Sequence, residues 1–166
     1  MIQEALRPIL DLTRHKAFEM NNLDLSYESL SRIPDFPLEQ LKSFSPCTED
    51  LVRLLLEHEL EKFMIIVEND DLLDKNAIDA MLYVSQEISN KFNEIFPSLS
   101  PYIKIQYPAV YHEQFEKRMQ LISEKIRINL ALGMNQGLYR SDLSAELISR
   151  LYLSRLIDIH NQDFFP

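Results

Sequence analysis

Residues 108–140 read PAVYHEQFEKRMQLISEKIRINLALGMNQGLYR and contain the longest periodic stretch of the chain. Apolar side chains recur in it every three or four residues, which is the period of one face of an α-helix. The spacing therefore predicts one long helix from Pro108 to about Asn135 with a buried stripe. That stripe consists of Val110, Tyr111, Phe115, Met119, Ile122, Ile126, Leu130 and Met134, widened by Leu121, Ile128 and Leu132.

The same stretch holds both glycines of the 166-residue chain, Gly133 and Gly137. Average usage would give about twelve glycines, and both tight hairpin turns and phosphate-binding loops depend on this residue. Neither a G-x-G-x-x-G fingerprint nor a Walker A loop exists in the sequence. The composition therefore predicts an all-α protein, in which Gly137 is the C-terminal cap of the long helix.

Proline clusters and apolar spacing predict the other helices. In the helix before the second proline cluster, the apolar side chains are expected to face the core, namely Ile78, Met81, Leu82, Ile88, Phe92 and Ile95. In the long helix that follows Cys47, we expect Glu57, Glu61 and Lys62 to form an exposed charged face. The predicted helices cover about residues 3–21, 26–33, 37–44, 48–68, 74–95, 100–106 and 143–159.

The cysteine content, the N-terminal residues and the lack of a long apolar run predict a soluble protein of the cytoplasm. The net charge is −9, which gives no hint of a nucleic-acid partner, and the single Cys47 has no partner for an internal disulfide. The first residues lack a basic flank followed by an apolar stretch of about 7–15 residues. No apolar run approaches the ~20 residues that span a bilayer, so no membrane partner is expected.

Candidate residues for catalysis or metal binding are few. The four histidines, His15, His58, His112 and His160, lie on different predicted elements, and none belongs to an H-E-x-x-H or Glu-x-x-His motif. Cys47 has no candidate base beside it in the sequence. We therefore expect no metal, no cofactor and no catalytic residue, and do not expect an enzyme.

Methionine and aromatic residues are frequent in the middle of the chain and on the longest helix. They are compatible with a packed core, or with the lining of a pocket for a small apolar ligand between helices. The sequence leaves both interpretations open. The residues are Phe63, Met64, Met81, Tyr83, Phe92, Tyr107, Tyr111, Phe115 and Met119.

The order of elements, three short helices followed by several long ones, resembles the TetR/AcrR family of transcriptional regulators. The most specific stretch runs from Gly133 to Asp142 and continues from Glu146 to Tyr152, where it is similar to the link between two late helices of that family. The resemblance implies a divergent helix-turn-helix-like DNA-binding domain over residues 1–47. It also implies a helical regulatory and dimerisation domain over residues 48–166.

Residues 30–51 can be laid without gaps on the family's DNA-reading pattern, I-A-x-x-x-G-V-S-x-x-x-L-Y-x-x-F-x-x-K-E-x-L. Leu41, Glu49 and Leu51 match it outright. The departures are Asp35 at the turn glycine, Pro37 at the capping serine, Lys42 at the phosphate-contacting tyrosine, Ser45 at the phenylalanine and Thr48 at the phosphate-contacting lysine.

The resemblance implies binding to double-stranded operator DNA, a small apolar ligand and a homodimer. The expected DNA contacts are Arg32, Gln40, Lys42 and Ser43, and the expected dimer anchors are Leu147, Ile148 and Leu151. An alternative is a helical ligand-binding or interaction protein of the same fold that has lost operator binding, because residues 1–52 carry nine acidic and five basic side chains.

Overall fold

A computed structural model describes residues 2–19, 24–72, 74–91 and 100–160. The prediction of an all-α fold is confirmed, since this part of the chain forms α-helices and no strand. Short 3₁₀ turns at Glu4–Leu6 and Asp70–Leu72 accompany the α-helices. The helices are α1 Arg7–Glu19, α2 Tyr27–Leu30, α3 Leu38–Phe44, α4 Thr48–Val67, α5 Ala77–Asn90, α6 Ser100–Gln106, α7 Pro108–Asn135 and α8 Ala145–His160.

The ends of several helices lie where the sequence predicts them. Helices α6 and α7 cover the predicted residues. Their starts are marked by Pro101 and Pro108, which each stand in a first turn, where proline is tolerated. Helix α2 is shorter than predicted and stops at Leu30. Pro34 disfavours a helical backbone at the residue before it, so the chain turns over residues 31–35.

The chain divides into two compact units. The first comprises Met1–Met64 and Lys91–Phe115, and the second comprises Ile65–Asn90 and Glu116–Pro166. Helices α4 and α7 contribute residues to each unit. The boundary between residues 47 and 48, which the resemblance implies for a DNA-binding and a regulatory domain, stays a prediction.

The first unit has a continuous apolar core. Leu10 of α1, Leu41 of α3 and Leu51 and Val52 of α4 are completely buried in it. Ile103 of α6 and the first turn of α7 complete the cluster. Because α3 contributes only Leu41 as a fully buried residue, its other side remains exposed to solvent.

In the second unit, the predicted core face of α5 is wrong in part. Ile78 and Leu82 are 42% and 63% exposed, whereas Ala77 and Ala80 are buried. Alanines at this i, i+3 spacing place the backbone of α5 close to its neighbours and turn the larger side chains outward. Met81 and Ile88 are half-buried, and Phe92 and Ile95 lie outside the described residues.

The exposed charged face predicted for α4 is also wrong. Glu57, Glu61 and Lys62 are half-buried rather than exposed. Glu61 and Lys62 form ion pairs with α1, which lies against this side of the helix. Within the described residues, no helix combines the length and apolar character needed to cross a membrane.

Candidate functional site

The segment from α2 to α3 contains an unusual backbone conformation. Asp35 has φ 57°, and it is the one described residue other than glycine with a positive φ. Aspartate tolerates this left-handed region better than most residues do. The turn is bounded by Leu30 at the end of α2 and Leu41 in α3, which are 2% and 0% exposed. Two short helices are therefore joined by a tight turn, each held in the core by a leucine.

The predicted DNA-contacting residues all lie on the surface of this segment. Gln40, Lys42 and Ser43 occupy the exposed part of α3, and the Ser43 hydroxyl donates to the Gln40 carbonyl over 2.6 Å. Lys42 Nζ lies 3.2 Å from Glu39 Oε1. Arg32 Nη2, in the turn before α3, lies 2.7 Å from Glu28 Oε1. The structure thus brings three of the four residues together on one short helix.

The charge of the same segment is negative. Residues 24–47 hold four acidic side chains, at positions 24, 28, 35 and 39, and two basic ones, Arg32 and Lys42. Each basic side chain forms an ion pair with one of the acids. Both pairs are exposed to solvent, where an ion pair contributes about 0–1 kcal/mol, so either cation can exchange its partner at little cost.

Sequence reasoning missed the contact that fastens α2. The hydroxyl of Tyr27 donates to the Ser45 carbonyl, and it lies 2.9 Å from Ser45 Oγ and 3.3 Å from the Cys47 carbonyl. Burial raises the pKa of Tyr27, so its proton is retained. Ser45 is buried and donates from its hydroxyl to the Cys47 carbonyl over 3.0 Å. No local sequence pattern marks this contact, because Tyr27 and Ser45 are 18 residues apart.

Helix α2 is also capped at its start. Ser26 is the N-cap, and its hydroxyl oxygen accepts a hydrogen bond from the Ser29 backbone N–H at 3.2 Å. Asp24 accepts hydrogen bonds from the Ser29 hydroxyl and the Ser26 backbone N–H. These bonds lower the pKa of Asp24. A helix of four residues is thus held at both ends by side chains.

A second polar cluster joins α1 to α4. His58 is 5% exposed, and its Nε2 lies 2.9 Å from Asp11 Oδ1, which also accepts a hydrogen bond from Lys62 Nζ at 2.6 Å. Burial lowers the pKa of His58, although its hydrogen bond to Asp11 acts in the opposite direction. Burial acts to raise the pKa of Asp11, but the hydrogen bonds from Lys62 and His58 outweigh it and lower the pKa. His58 is therefore a core histidine that favours the neutral form.

The same helices share two further ion pairs. Arg7 Nη2 lies 3.2 Å from Glu61 Oε2, and Arg14 Nε lies 3.0 Å from Glu59 Oε1. Glu61 also accepts a hydrogen bond from the Ile2 backbone N–H. Because all these partners are more than forty residues apart in the chain, local sequence patterns carried no signal for them.

The predicted ligand-pocket residues are divided between the two units. Tyr111 and Phe115 stack on each other with ring centroids 5.9 Å apart, and Phe63 is buried. These residues, with the half-buried Met64 and Tyr107, belong to the first unit. Met81, Tyr83 and Met119 are half-buried in the second unit, and Phe92 lies outside the described residues. An apolar ligand pocket among these residues stays a prediction.

A groove in the second unit has a different character. It encloses about 780 Å³ and is lined mostly by polar side chains, with Tyr83 as its one member of the predicted pocket set. Lys75 Nζ lies 5.3 Å from the centre of the Tyr83 ring, and the Tyr83 hydroxyl accepts a hydrogen bond from Asn69. The lining residues are Asp74, Lys75, Asn76, Asp79, Leu82, Tyr83, Gln86 and Gln136.

The C-terminal motif with both glycines folds back onto α7. The Tyr139 ring occupies the space beside Gly133, and its hydroxyl donates to Asn129 Oδ1 over 3.1 Å. Asn129 in turn donates to the Ala77 carbonyl, and Gln136 Oε1 accepts from the Ala77 N–H. Gly137 has φ 71°, as expected of the helix cap. The motif thus holds the start of α5 against the end of α7.

The predicted dimer anchors lie on α8. Leu147 and Leu151 are 58% and 60% exposed, whereas Ile148 is half-buried. Leu147 and Leu151 are four residues apart and share one side of the helix, and Leu143, just before the helix, is exposed as well. An apolar surface of this kind is typical of an interface between proteins.

Comparisons with known proteins found no match: no protein family, no curated protein and no solved structure is similar to this chain. Among the described residues, no three His, Cys, Asp or Glu side chains are grouped so that they could hold a metal ion.

Proposed function

We propose that this chain is a TetR-like transcriptional regulator of the cytoplasm, a homodimer whose binding to operator DNA is modulated by a small apolar ligand. The observation that carries the proposal is the turn between α2 and α3. Asp35 has φ 57° at the position where the family pattern has glycine, and Leu41 is buried where the pattern has its leucine. A tight turn between two short helices is the basis of a helix-turn-helix reader.

The exposed side of α3 supports contacts with DNA. The Gln40 amide is suited to the edge of adenine, and Lys42 and Ser43 are suited to phosphate oxygens. Arg32 and Lys42 are the two cations of this segment, and their ion pairs with Glu28 and Glu39 are weak enough to be replaced by phosphate. With two cations in each subunit, a dimer would neutralise four phosphates.

The test is fluorescence anisotropy with labelled DNA from upstream of the protein's own gene, at 50 to 200 mM salt. Four neutralised phosphates predict that log K falls with log salt with a slope of about −3 to −4. Arg32→Ala and Lys42→Ala should each reduce the slope by about 2 per dimer. The matched control is Lys104→Ala, which removes an exposed lysine on α6 and should change neither affinity nor slope.

A second candidate function is favoured by the negative charge of residues 24–47. Four acids against two bases in residues 24–47 disfavour a negatively charged partner. In this case the chain is a ligand-binding or interaction protein of the same fold without operator binding. Absence of binding at 50 mM salt, with the two variants indistinguishable from the wild type, would decide for this alternative.

A further inference from the structure

Gln114 is a buried amide without a hydrogen-bond partner. It lies in the second turn of α7 within the first unit and is only 6% exposed. Neither its Nε2 nor its Oε1 forms a hydrogen bond within the part of the chain that the structure describes. It follows the buried Val110 by one helical turn, so it belongs to the inward side of α7.

A buried amide without hydrogen bonds lowers the stability of the folded protein. Burying a polar group without a hydrogen bond costs about 1–3 kcal/mol in proteins, and a glutamine brings both a donor and an acceptor. Packing alone would be served better by methionine or leucine, which fill a similar volume without polar atoms. The amide is therefore accounted for if another molecule supplies the missing partners.

The surroundings of Gln114 on α7 indicate what that molecule is. Tyr111 and Phe115, half-buried and stacked, come three residues before and one residue after it. Aromatic rings favour a planar, largely apolar molecule. An amide that presents a donor beside an acceptor is complementary to a group with an acceptor beside a donor, as in a primary amide or a lactam. A carboxylate would leave the Gln114 oxygen facing a negative charge.

We propose that Gln114 is a specificity-determining residue for the small ligand and hydrogen-bonds the donor–acceptor edge of a neutral, planar, amide-bearing aromatic molecule. The inference rests on the ligand-binding part of the proposed function. It adds to that function the chemical class of the ligand and the residue that recognises it. Tyr111 and Phe115 contact the apolar part of the same ligand.

The test uses two probes of equal shape, 2-naphthamide and 2-acetonaphthone, with the full chain in calorimetric titration. The ketone keeps the acceptor but lacks the N–H donor, so it leaves the Gln114 oxygen unpaired. The wild type should bind the amide about tenfold more tightly than the ketone, since only the amide gives the buried Gln114 oxygen a hydrogen-bond donor. Gln114→Met should lose the preference for the amide or reverse it, because the N–H group of the amide then has no partner. This variant should also unfold at a higher temperature.

The matched control is Gln120→Met, which changes an exposed glutamine of the same helix and should keep the tenfold preference. Side-chain amide NMR signals supply a second readout. The Gln114 signals, assigned by their absence in Gln114→Met, should shift when 2-naphthamide is added. Unshifted signals, equal affinity of the wild type for both probes, or no binding of either would overturn the inference.

The two proposals can fail separately. DNA binding is measured without either probe, and the probe preference is measured without DNA. If the wild type binds DNA but does not prefer the amide probe to the ketone, only the proposed role of Gln114 is refuted. A preference for the amide without DNA binding retains that role and selects the second candidate function.

Discussion

The two glycines of the C-terminal motif are required for different physical reasons. Gly133 lacks room for a side chain, since an added Cβ would lie 2.1 Å from the Tyr139 ring. Gly137 has open space around it but adopts φ 71°, which is unfavourable for residues with a Cβ. Glycine is required at position 133 because a side chain would not fit, and at position 137 because of the backbone conformation.

Substitutions by alanine and asparagine should separate these reasons. Gly133→Ala should lower the free energy of unfolding by about 1–3 kcal/mol, because the Tyr139 ring must move. Gly137→Ala should cost about 1–2 kcal/mol, whereas Gly137→Asn should cost less, because asparagine tolerates the left-handed region. Urea unfolding followed by circular dichroism measures all three. Equal losses for Gly137→Ala and Gly137→Asn would contradict the conformational explanation.

At the same scale, His58 should make the stability of the protein depend on pH. Its pKa in the folded protein is lowered from 6.5 by burial, so the unfolded chain takes up a proton first as the pH falls. The free energy of unfolding should therefore decrease on acidification from about pH 6.5, by at most about 1.4 kcal/mol per pH unit for one proton. Asp11, whose pKa is also lowered, adds its own loss at lower pH, below about 4.

Urea unfolding between pH 7.5 and 5 measures this effect. His58→Gln should remove most of the slope just below pH 6.5. His112→Gln, at an exposed position, should leave it unchanged. A wild type whose stability is constant over this range would refute the role of His58. Asp11, which faces His58, stays ionised over this range because its pKa is lowered from 3.8.

At the scale of the element, α2 is too short to be stable by itself. Four residues form a single turn, so its stability depends on the Ser26 cap, on buried Leu30 and on the Tyr27 hydroxyl. Tyr27→Phe should lower the free energy of unfolding by about 1 kcal/mol, the usual net contribution of one hydrogen bond. Amide hydrogen exchange should show faster exchange at Leu30 and Ser31, whose N–H groups close this turn.

The control for this variant is Tyr152→Phe, which removes a hydroxyl from an exposed tyrosine of α8. It should change neither the stability nor the exchange of α2. If Tyr27→Phe accelerates exchange only in the loop between α3 and α4, the hydroxyl supports that loop and not α2.

Helix positions could be predicted from the sequence more fully than helix faces. Prolines in first turns mark the starts of α6 and α7, and the long apolar stripe gives the extent of α7. The buried side of α5 was not predictable from hydrophobicity. Ile78 and Leu82 are more hydrophobic than Ala77 and Ala80, but the two alanines are the buried residues.

Contacts between distant residues carry no local pattern at all. The hydrogen bond of His58 with Asp11 joins residues 47 positions apart. Gln114 escaped notice for a related reason: its place on the apolar side of α7 can be counted from the sequence, but the lack of a partner is visible only in the fold. The exposure of Gln40, Lys42 and Ser43 was easier to predict, since exposed positions on a short helix follow from the buried Leu41.

At the scale of the whole molecule, the exposed leucines of α8 argue for a second copy of the chain. Leu147 and Leu151 are four residues apart on one side of the helix and are more than half exposed. In a twofold-symmetric pair each protomer presents the same patch, so every substitution acts twice. Because burying one leucine contributes about 1.5–3 kcal/mol, one charged substitution weakens such a dimer by about 3–6 kcal/mol.

Leu147→Asp together with Leu151→Asp should therefore convert a dimer at micromolar concentration into a monomer, since even one substitution lowers the association constant at least a hundredfold. Size-exclusion chromatography with light scattering gives the mass of both species. The control Ile105→Asp changes a residue of α6 that is 73% exposed and should leave the dimer intact. A monomeric wild type would rule out the homodimer. If Ile105→Asp is monomeric while the α8 double variant is still dimeric, the interface does not lie on α8. The expected result places the self-association surface on α8, in the second unit.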